Sequence, residues 1–299
     1  MRAFVTGGHG FVGPWLCQHL KESGDEVVIA DPSMDVTDGP AVLGAVGDAE
    51  PDVVYHLAAQ ASVNSSWDAP VATFAVNALG TVQVLSAVQA CSPAARVVMV
   101  SSVEVYGAVQ EDDLPITEAA PFRPATPYAA SKAAAEMACL QAHLGWGLDV
   151  VRARPFNHTG PGQTAQFFVP GMARQIVNAV TSGATDLRTG DLTVRRDILD
   201  VRDVVRAYRL LAQRGATGEA YNVCSGQSVP LAQGLDRLLA LAGSDLTLTT
   251  DPSRLRPVDP PDHRGDPTRL HDATGWAPEY GLDQTLDDVL AYWRRQPPE

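Results

Sequence analysis

Tyr128 and Lys132 stand four residues apart in TPYAASKAAAE. Thr126 is a good N-cap and Pro127 suits a first helical position, so the two side chains fall on one face of a helix, one turn apart. An ammonium so placed lowers the pKa of a phenol that ionises near 10 when free, bringing an acid–base group toward its working range. Upstream, RVVMVSSVEVYG delivers Ser102 toward the C-terminal end of an apolar run. A hydroxyl there can hydrogen-bond the carbonyl or alcohol on which Tyr128 acts as acid or base. Glu104, two residues on, adds a carboxylate. Alone, Tyr-x-x-x-Lys is common by chance and is explained equally well by a surface helix pair; what precedes it gives it weight.

The chain opens with RAFVTG running directly into TGGHGFVG, so Gly7, Gly10 and Gly13 form a G-x-x-G-x-x-G turn that enters a helix through Phe11 and Val12. Glycines there let the backbone approach a pyrophosphate, and the helix N-terminus presents unpaired N–H groups to its charge. The run EVVIAD ends in Asp31, about 20 residues after the glycines, where a carboxylate accepts both ribose hydroxyls of NAD and repels the 2′-phosphate of NADP. No arginine follows Asp31 closely. The expected cofactor is NAD(H), preferred over NADP(H), although Asp31 could instead cap a turn before Pro32. Asp35 and Val36 in DVTD are placed at the adenine edge. Leu57, Ala58 and Ala59 in HLAAQ offer a small-residue strand end against which a dinucleotide can lie flat, or simply pack tightly under a helix. Lys132 is also within reach of the nicotinamide ribose.

These groups need a scaffold. Short apolar runs (2–7, 26–31, 51–59, 96–102 and 149–157) alternate with segments of helical spacing, which predicts an α/β protein with a doubly wound parallel sheet of Rossmann type. Residues 1–160 are expected to form the dinucleotide-binding domain, with later strands around 190–225 returning to it, and 161–299 a smaller, mainly substrate-binding α/β domain. Leu282, Leu286, Val289, Leu290 and Trp293 share one helical face and predict a core helix. The proline-rich stretches 113–127 and 251–267 are too long for ordinary connections and are expected to line a site.

The 299 residues are enough for a sizeable core. A formal net charge of −13 argues against nucleic acid or an anionic membrane surface as partner. Cys17, Cys91, Cys139 and Cys224 are scattered, with no disulfide framework or metal-ligand spacing. No uninterrupted apolar stretch of about 18 residues and no signal-peptide pattern is present, so a cytoplasmic protein without a metal site is expected.

Glycine turn, serine-bearing strand and Tyr-x-x-x-Lys helix, in that order, resemble the extended short-chain dehydrogenase/reductases of the NAD-dependent epimerase/dehydratase family that act on nucleotide sugars. The resemblance covers essentially the whole chain and implies Ser102, Tyr128 and Lys132 as catalytic residues. The next strand ends in RPFNHTGPGQ (154–163). In the family this loop lies under the cofactor, at Pro155, and reaches the sugar nucleotide's diphosphate; Asn157 is the implied contact, and His158 is read as a hydrogen-bonded structural histidine. Arg196 in RRDILDVRD and Arg256 in SRLRPVD lie in segments similar to those that grip the diphosphate, where a guanidinium fork suits phosphate. Arg195 and Arg254 are their nearest competitors.

Longer matches, among them RRDILDVRDVVRAY, GEAYNVCSG and TGWAP, look most like the GDP-4-keto-6-deoxy-D-mannose reductases, which make GDP-D-rhamnose, and next like the GDP-mannose 4,6-dehydratases. The resemblance implies a GDP-linked substrate, hydride delivery to its C4 keto group, and a homodimer formed through the alanine-rich catalytic helix. Dehydratases carry a glutamate where Glu104 stands, and an NAD-type pocket suits dehydratases and epimerases, so a 4,6-dehydratase or 4-epimerase stays open. A dinucleotide-sensing protein without chemistry is the reading from outside enzymology.

Overall fold

The computed structural model describes residues 1–255 and 258–297. The first half alternates strictly. Strands β1 (Arg2–Thr6), β2 (Glu26–Ile29), β3 (Val53–His56), β4 (Arg96–Val100) and β5 (Val150–Pro155) are separated by helices α1 (Val12–Glu22), α2 (Gly39–Ala49), α3 (Val63–Asp68), α4 (Pro70–Phe74), α5 (Gly80–Cys91) and α6 (Pro127–Trp146). The second half adds β6 (Asn157–Thr159), β7 (Asp186–Thr189), β8 (Arg195–Arg196), β9 (Ile198–Asp200), β10 (Ala220–Val223), β11 (Val229–Pro230), β12 (Thr247–Thr250) and β13 (Asp262–His263). Helices α7 (Phe168–Ser182), α8 (Val201–Arg214), α9 (Leu231–Ala242), α10 (Thr268–Thr274) and α11 (Leu282–Arg294) lie among them.

The main sheet runs β10-β5-β4-β3-β1-β2, and every pair in it is parallel. Successive residues of its strands face opposite sides. Val5, Tyr55, Val98 and Val151 pack under α1 and α8 against Leu16, Leu20, Val204 and Tyr208. Phe4, Val54, Val97 and Val150 pack against Val42, Val84, Val88, Cys139 and Ala142 on α2, α5 and α6. Both faces are covered, which is why these strands read as continuous apolar runs. The chain passes from β1 to β2 on one side and then to β3 on the other, so the strand order reverses between β1 and β3. Doubly wound sheets place their ligand sites at the C-terminal ends of the strands where the order reverses.

Of the strands between 190 and 225, only β10 joins this sheet. β8 lies between β11 and β13, β6 pairs with β9, and β7 with β12. β8, two residues long, and β9 are separated by Asp197 alone, and their partners are equally short, so they form clips rather than a layer. A separate core joins Val169, Ile176, Leu235, Leu238, Leu286, Val289 and Leu290, with Leu282 and Trp293 packed against it. This bears out the apolar face read for α11. The 22-residue stretch Pro70–Cys91 is long and apolar enough to cross a bilayer by composition, but 50% of its most apolar window is buried inside the protein.

Candidate active site

The glycine turn is shaped as its spacing suggests. Gly7 has φ of 68°, and a Cβ there would meet the Ala58 backbone nitrogen at 2.6 Å; one on Gly13 would meet the Gly8 carbonyl oxygen at 2.3 Å. Ala58 therefore belongs to the turn's packing, its N–H donating to Thr6 Oγ1 at 3.3 Å. Gly10 is open, its nearest neighbour being Gly7 O at 3.4 Å from an added Cβ. The first turn of α1, entered through half-buried Phe11 and Val12, carries no acidic residue and no side-chain cap. Its N–H donors are left for an anion, so these residues fit the pyrophosphate of a dinucleotide. Gly8 escaped the sequence reading: a Cβ there would strike Ile29 at 2.5 Å, so the turn also needs a glycine to pack on β2.

Asp31 lies two residues beyond the end of β2 and is exposed. Its Oδ1 accepts from the Ser33 hydroxyl at 2.5 Å and the Ser33 N–H at 2.8 Å, and these bonds hold its pKa below the usual value. Turn-capping is thus real. Asp35 does the same for Thr37, accepting from N and Oγ1 at 2.8 Å. Val36 is buried against Gly80 at the start of α5, which places it in packing. Leu57 and Ala59 are half-buried just beyond the end of β3. Pro155 ends β5 opposite Val223.

Ser102, Tyr128 and Lys132 converge at the C-terminal end of β4, all under 9% exposed. The N-cap is as expected: Thr126 Oγ1 accepts from Ala129 N at 3.0 Å. Burial pushes the Tyr128 phenol up to about 12; a hydrogen bond with Ser102 pulls it down and the nearby Glu104 carboxylate raises it. The expected lowering by the Lys132 ammonium is not seen. Lys132 Nζ instead donates to Val100 O at 2.8 Å, and burial lowers its pKa to about 8. The spacing is right, but the side chain is turned toward the strand end, which offers a buried carbonyl. Glu104 is half-buried, and its N–H donates to Ser102 Oγ at 3.2 Å.

The sequence reading also passed over Asn77. It lies in a π-helical turn, Ala75–Leu79, and bridges Gln60 N and Gln60 O with Ser131 Oγ (2.8, 3.1 and 2.9 Å). Ser131 Oγ in turn donates to Tyr128 O at 2.7 Å. Such bulges gather at functional sites, and a lone buried amide in VATFAVNALGTV was its signal.

The loop at 154–163 is anchored on one side and open on the other. Trp15 Nε1 donates to Pro161 O at 3.2 Å, and Phe11 stacks on His158 with ring centroids 6.2 Å apart. His158 Nδ1 pairs with Phe156 O at 2.9 Å, and burial lowers its pKa, so it is the structural residue expected. Asn157, like His158, lines a cleft of about 390 Å³ that also takes in Asn64, Gln163, Arg196, Arg254 and Asp259. Its Oδ1 is buried and has no hydrogen-bond partner among the described residues. Arg196 is 4% exposed, donating to Arg195 O and Pro260 O at 2.7 and 2.9 Å and pairing with Asp259. Arg195 points elsewhere, to Ser228. Arg254, a competitor in the reading, reaches the cleft. Arg256 lies outside the described residues.

The chain thus carries a glycine turn fitted to a dinucleotide, a buried Ser–Tyr–Lys cluster and a polar cleft. The family model described as NAD dependent epimerase/dehydratase family matches residues 3–224. The chain belongs to this family. It is 40% identical to the GDP-6-deoxy-D-mannose reductase of Pseudomonas aeruginosa, over 98% of this chain and 97% of that protein. To the dTDP-glucose 4,6-dehydratase of Mycobacterium tuberculosis it is 30% identical, over 98% and 96%. Among solved structures, RMD from Pseudomonas aeruginosa complexed with NADPH superposes with a TM-score of 0.90 at 37% identity, covering 98% of this chain and 99% of that one. The Thermus thermophilus UDP-glucose 4-epimerase complex with NAD gives 0.88 at 30%, covering 99% of each. The protein is an α/β enzyme of this family that uses a nicotinamide dinucleotide.

Proposed function

We propose that the protein reduces the C4 keto group of GDP-4-keto-6-deoxy-D-mannose to give GDP-D-rhamnose. The observation that carries this reading is that a chain matching a GDP-6-deoxy-D-mannose reductase over its full length holds both a buried Ser102–Tyr128–Lys132 cluster and the Asn157 and Arg196 cleft. A reduced nicotinamide dinucleotide, held by the Gly7–Gly13 turn and the start of α1, would supply the hydride for the keto carbon. The rest falls to this chain. Tyr128, held up at about 12, is protonated at neutral pH and is therefore a proton donor to the developing alkoxide. Ser102 holds the same oxygen by a hydrogen bond. Lys132, whose Nζ now donates to Val100 O, would be the residue to hold the nicotinamide ribose and to offset the phenolate left on Tyr128. Asn157, with its unsatisfied Oδ1, orients the sugar or diphosphate, and Arg196 meets the diphosphate charge. Residues 161–299 supply most of the substrate side of the cleft.

NAD(H) is the preferred cofactor in this reading. Asp31 is exposed, anionic and aimed by Ser33, which favours free ribose hydroxyls over a 2′-phosphate. The Pseudomonas relative was solved with NADPH, so the preference is a property to test in this chain. The working unit is a homodimer: Met137 and Leu144 lie seven residues apart on the catalytic helix, exposed by 47% and 73%, and Val71 and Leu79 on the neighbouring segment by 83% and 60%.

Glu104 favours one second reading. Its carboxylate lies close enough to raise the Tyr128 pKa, where a 4,6-dehydratase would need a base. Giving the enzyme GDP-mannose alone, and GDP-4-keto-6-deoxy-D-mannose with reduced dinucleotide, separates the two by product mass. A gain of two hydrogens on the keto sugar supports reduction; loss of water from GDP-mannose supports the dehydratase.

A further inference from the structure

One buried charge cluster is not used by the mechanism above. Glu136 lies one turn beyond Lys132 on α6 and is 0% exposed. Its Oε1 accepts from Ser101 Oγ at 2.5 Å and from Arg154 Nε at 2.8 Å. Its Oε2 accepts from Arg154 Nη2 at 2.7 Å and from Arg152 at 3.5 Å. Arg154 reaches on to Tyr106 Oη at 2.8 Å and Glu118 O at 3.1 Å, and Tyr106 donates to Asn222 Oδ1 at 2.7 Å. One carboxylate thus joins the helix of Tyr128 and Lys132, the strand end next to Ser102, the strand leading to Asn157, and the loop after Glu104. Removing one partner from a buried charge pair leaves the other uncompensated, so such a hub holds its members in one arrangement.

We propose that Glu136 is a positioning residue, which through Ser101 and Arg154 sets Ser102 and the Asn157 loop in register with Tyr128 and Lys132. Ser101 and Ser102 are adjacent, and their hydroxyls go to different partners: Ser101 Oγ donates to Glu136, whereas Ser102 Oγ accepts from the Glu104 N–H and hydrogen-bonds Tyr128. Pinning Ser101 to Glu136 therefore fixes the direction in which Ser102 faces Tyr128. The charge matters as well. The groups acting on Lys132 are Glu136 and Cys139 on its own helix, which favour the ammonium, and burial, which opposes it. His56 on β3 is kept neutral partly by Lys132, Arg152 and Arg154 on β5 stand beyond Glu136, and Glu104 lies nearer Tyr128.

The inference rests on Tyr128 and Lys132 being the reacting pair, so the wild-type enzyme is assayed first with the keto sugar; absence of turnover there counts against the proposed function alone. Ser101→Ala removes one hydrogen bond and leaves the ion pair. The expected result is a kcat about tenfold lower, the scale of a sub-ångström misplacement, with KM within about twofold. Binding of reduced dinucleotide, read by its fluorescence without turnover, stays near wild type, and the melting temperature drops by a few degrees with the enzyme still folded at the assay temperature. Glu136→Asp keeps the charge, so kcat falls while the alkaline limb of its pH profile stays in place. Glu136→Gln moves that limb to lower pH. A folded Ser101→Ala enzyme with wild-type kcat overturns the proposal, as does a kcat loss that merely tracks loss of folded protein. Should Glu136→Gln fail to fold, Ser101→Ala decides.

Discussion

At the residue scale, the chemistry turns on which of two buried groups holds a proton. Tyr128 is raised to about 12 and Lys132 lowered to about 8, both chiefly by burial. Tyr128→Phe removes the donor and little volume, so dinucleotide binding is expected to stay within about twofold while kcat falls by 10²–10⁴, the usual worth of a general acid. Fluorescence titration and steady-state rates check this; retained turnover would mean that another group donates. The Lys132 charge is lost as pH rises through about 8, so kcat/KM, which reports the free enzyme, is expected to fall above that pH. Stability moves the other way. The native state binds fewer protons than the unfolded chain between about 8 and the ordinary value of 10.5, so this lysine's contribution to stability rises with pH across that window. A kcat/KM flat until alkaline unfolding would rule out the role given to Lys132.

Elements explain what a single sequence shows and what it hides. The glycine turn and the Tyr–Lys helix were legible because their signals are local: glycine spacing at a strand–helix junction, a Thr-Pro start and an i, i+4 pair. Asn77, Ser101, Glu136 and Arg154 were not, because their meaning depends on which face of α6 and of the 70–91 segment packs against which strand. Polar residues within apolar runs marked them, without naming partners. Likewise, the approach of Lys132 to Tyr128 followed from helix geometry, but its rotamer was set by a carbonyl at the end of β4. Gly13→Ala tests the turn itself: the added Cβ would meet backbone at 2.3 Å, which cannot yield as a side chain would. Dinucleotide affinity is expected to drop by about tenfold or more, with stability lowered by roughly 1–3 kcal/mol, as for overpacking. Calorimetry and thermal melts read both, and unchanged affinity would show that the turn does not carry the pyrophosphate.

Across the whole molecule, an acidic chain gathers its buried guanidiniums where anions must be held or carboxylates balanced. Arg154 neutralises Glu136, and Arg196 lines the cleft, where in the proposed function it supplies the local charge for a diphosphate that a protein with a net charge of −13 otherwise lacks. The doubly wound parallel sheet was readable from alternating runs, whereas the pairings of β6, β8, β9, β11 and β13 were not, since two- or three-residue clips leave no periodicity. The exposed Met137 and Leu144 stripe is expected to close a homodimer, and the double variant Met137→Glu, Leu144→Glu is expected to run as a monomer in light scattering. A monomeric wild type would refute that assembly.

The most direct measurement mixes the enzyme with GDP-4-keto-6-deoxy-D-mannose and either NADH or NADPH and follows loss of the reduced nicotinamide's absorbance. The account predicts one dinucleotide oxidised per sugar reduced, faster with NADH. No oxidation with either dinucleotide, from a folded enzyme that binds them, would contradict it.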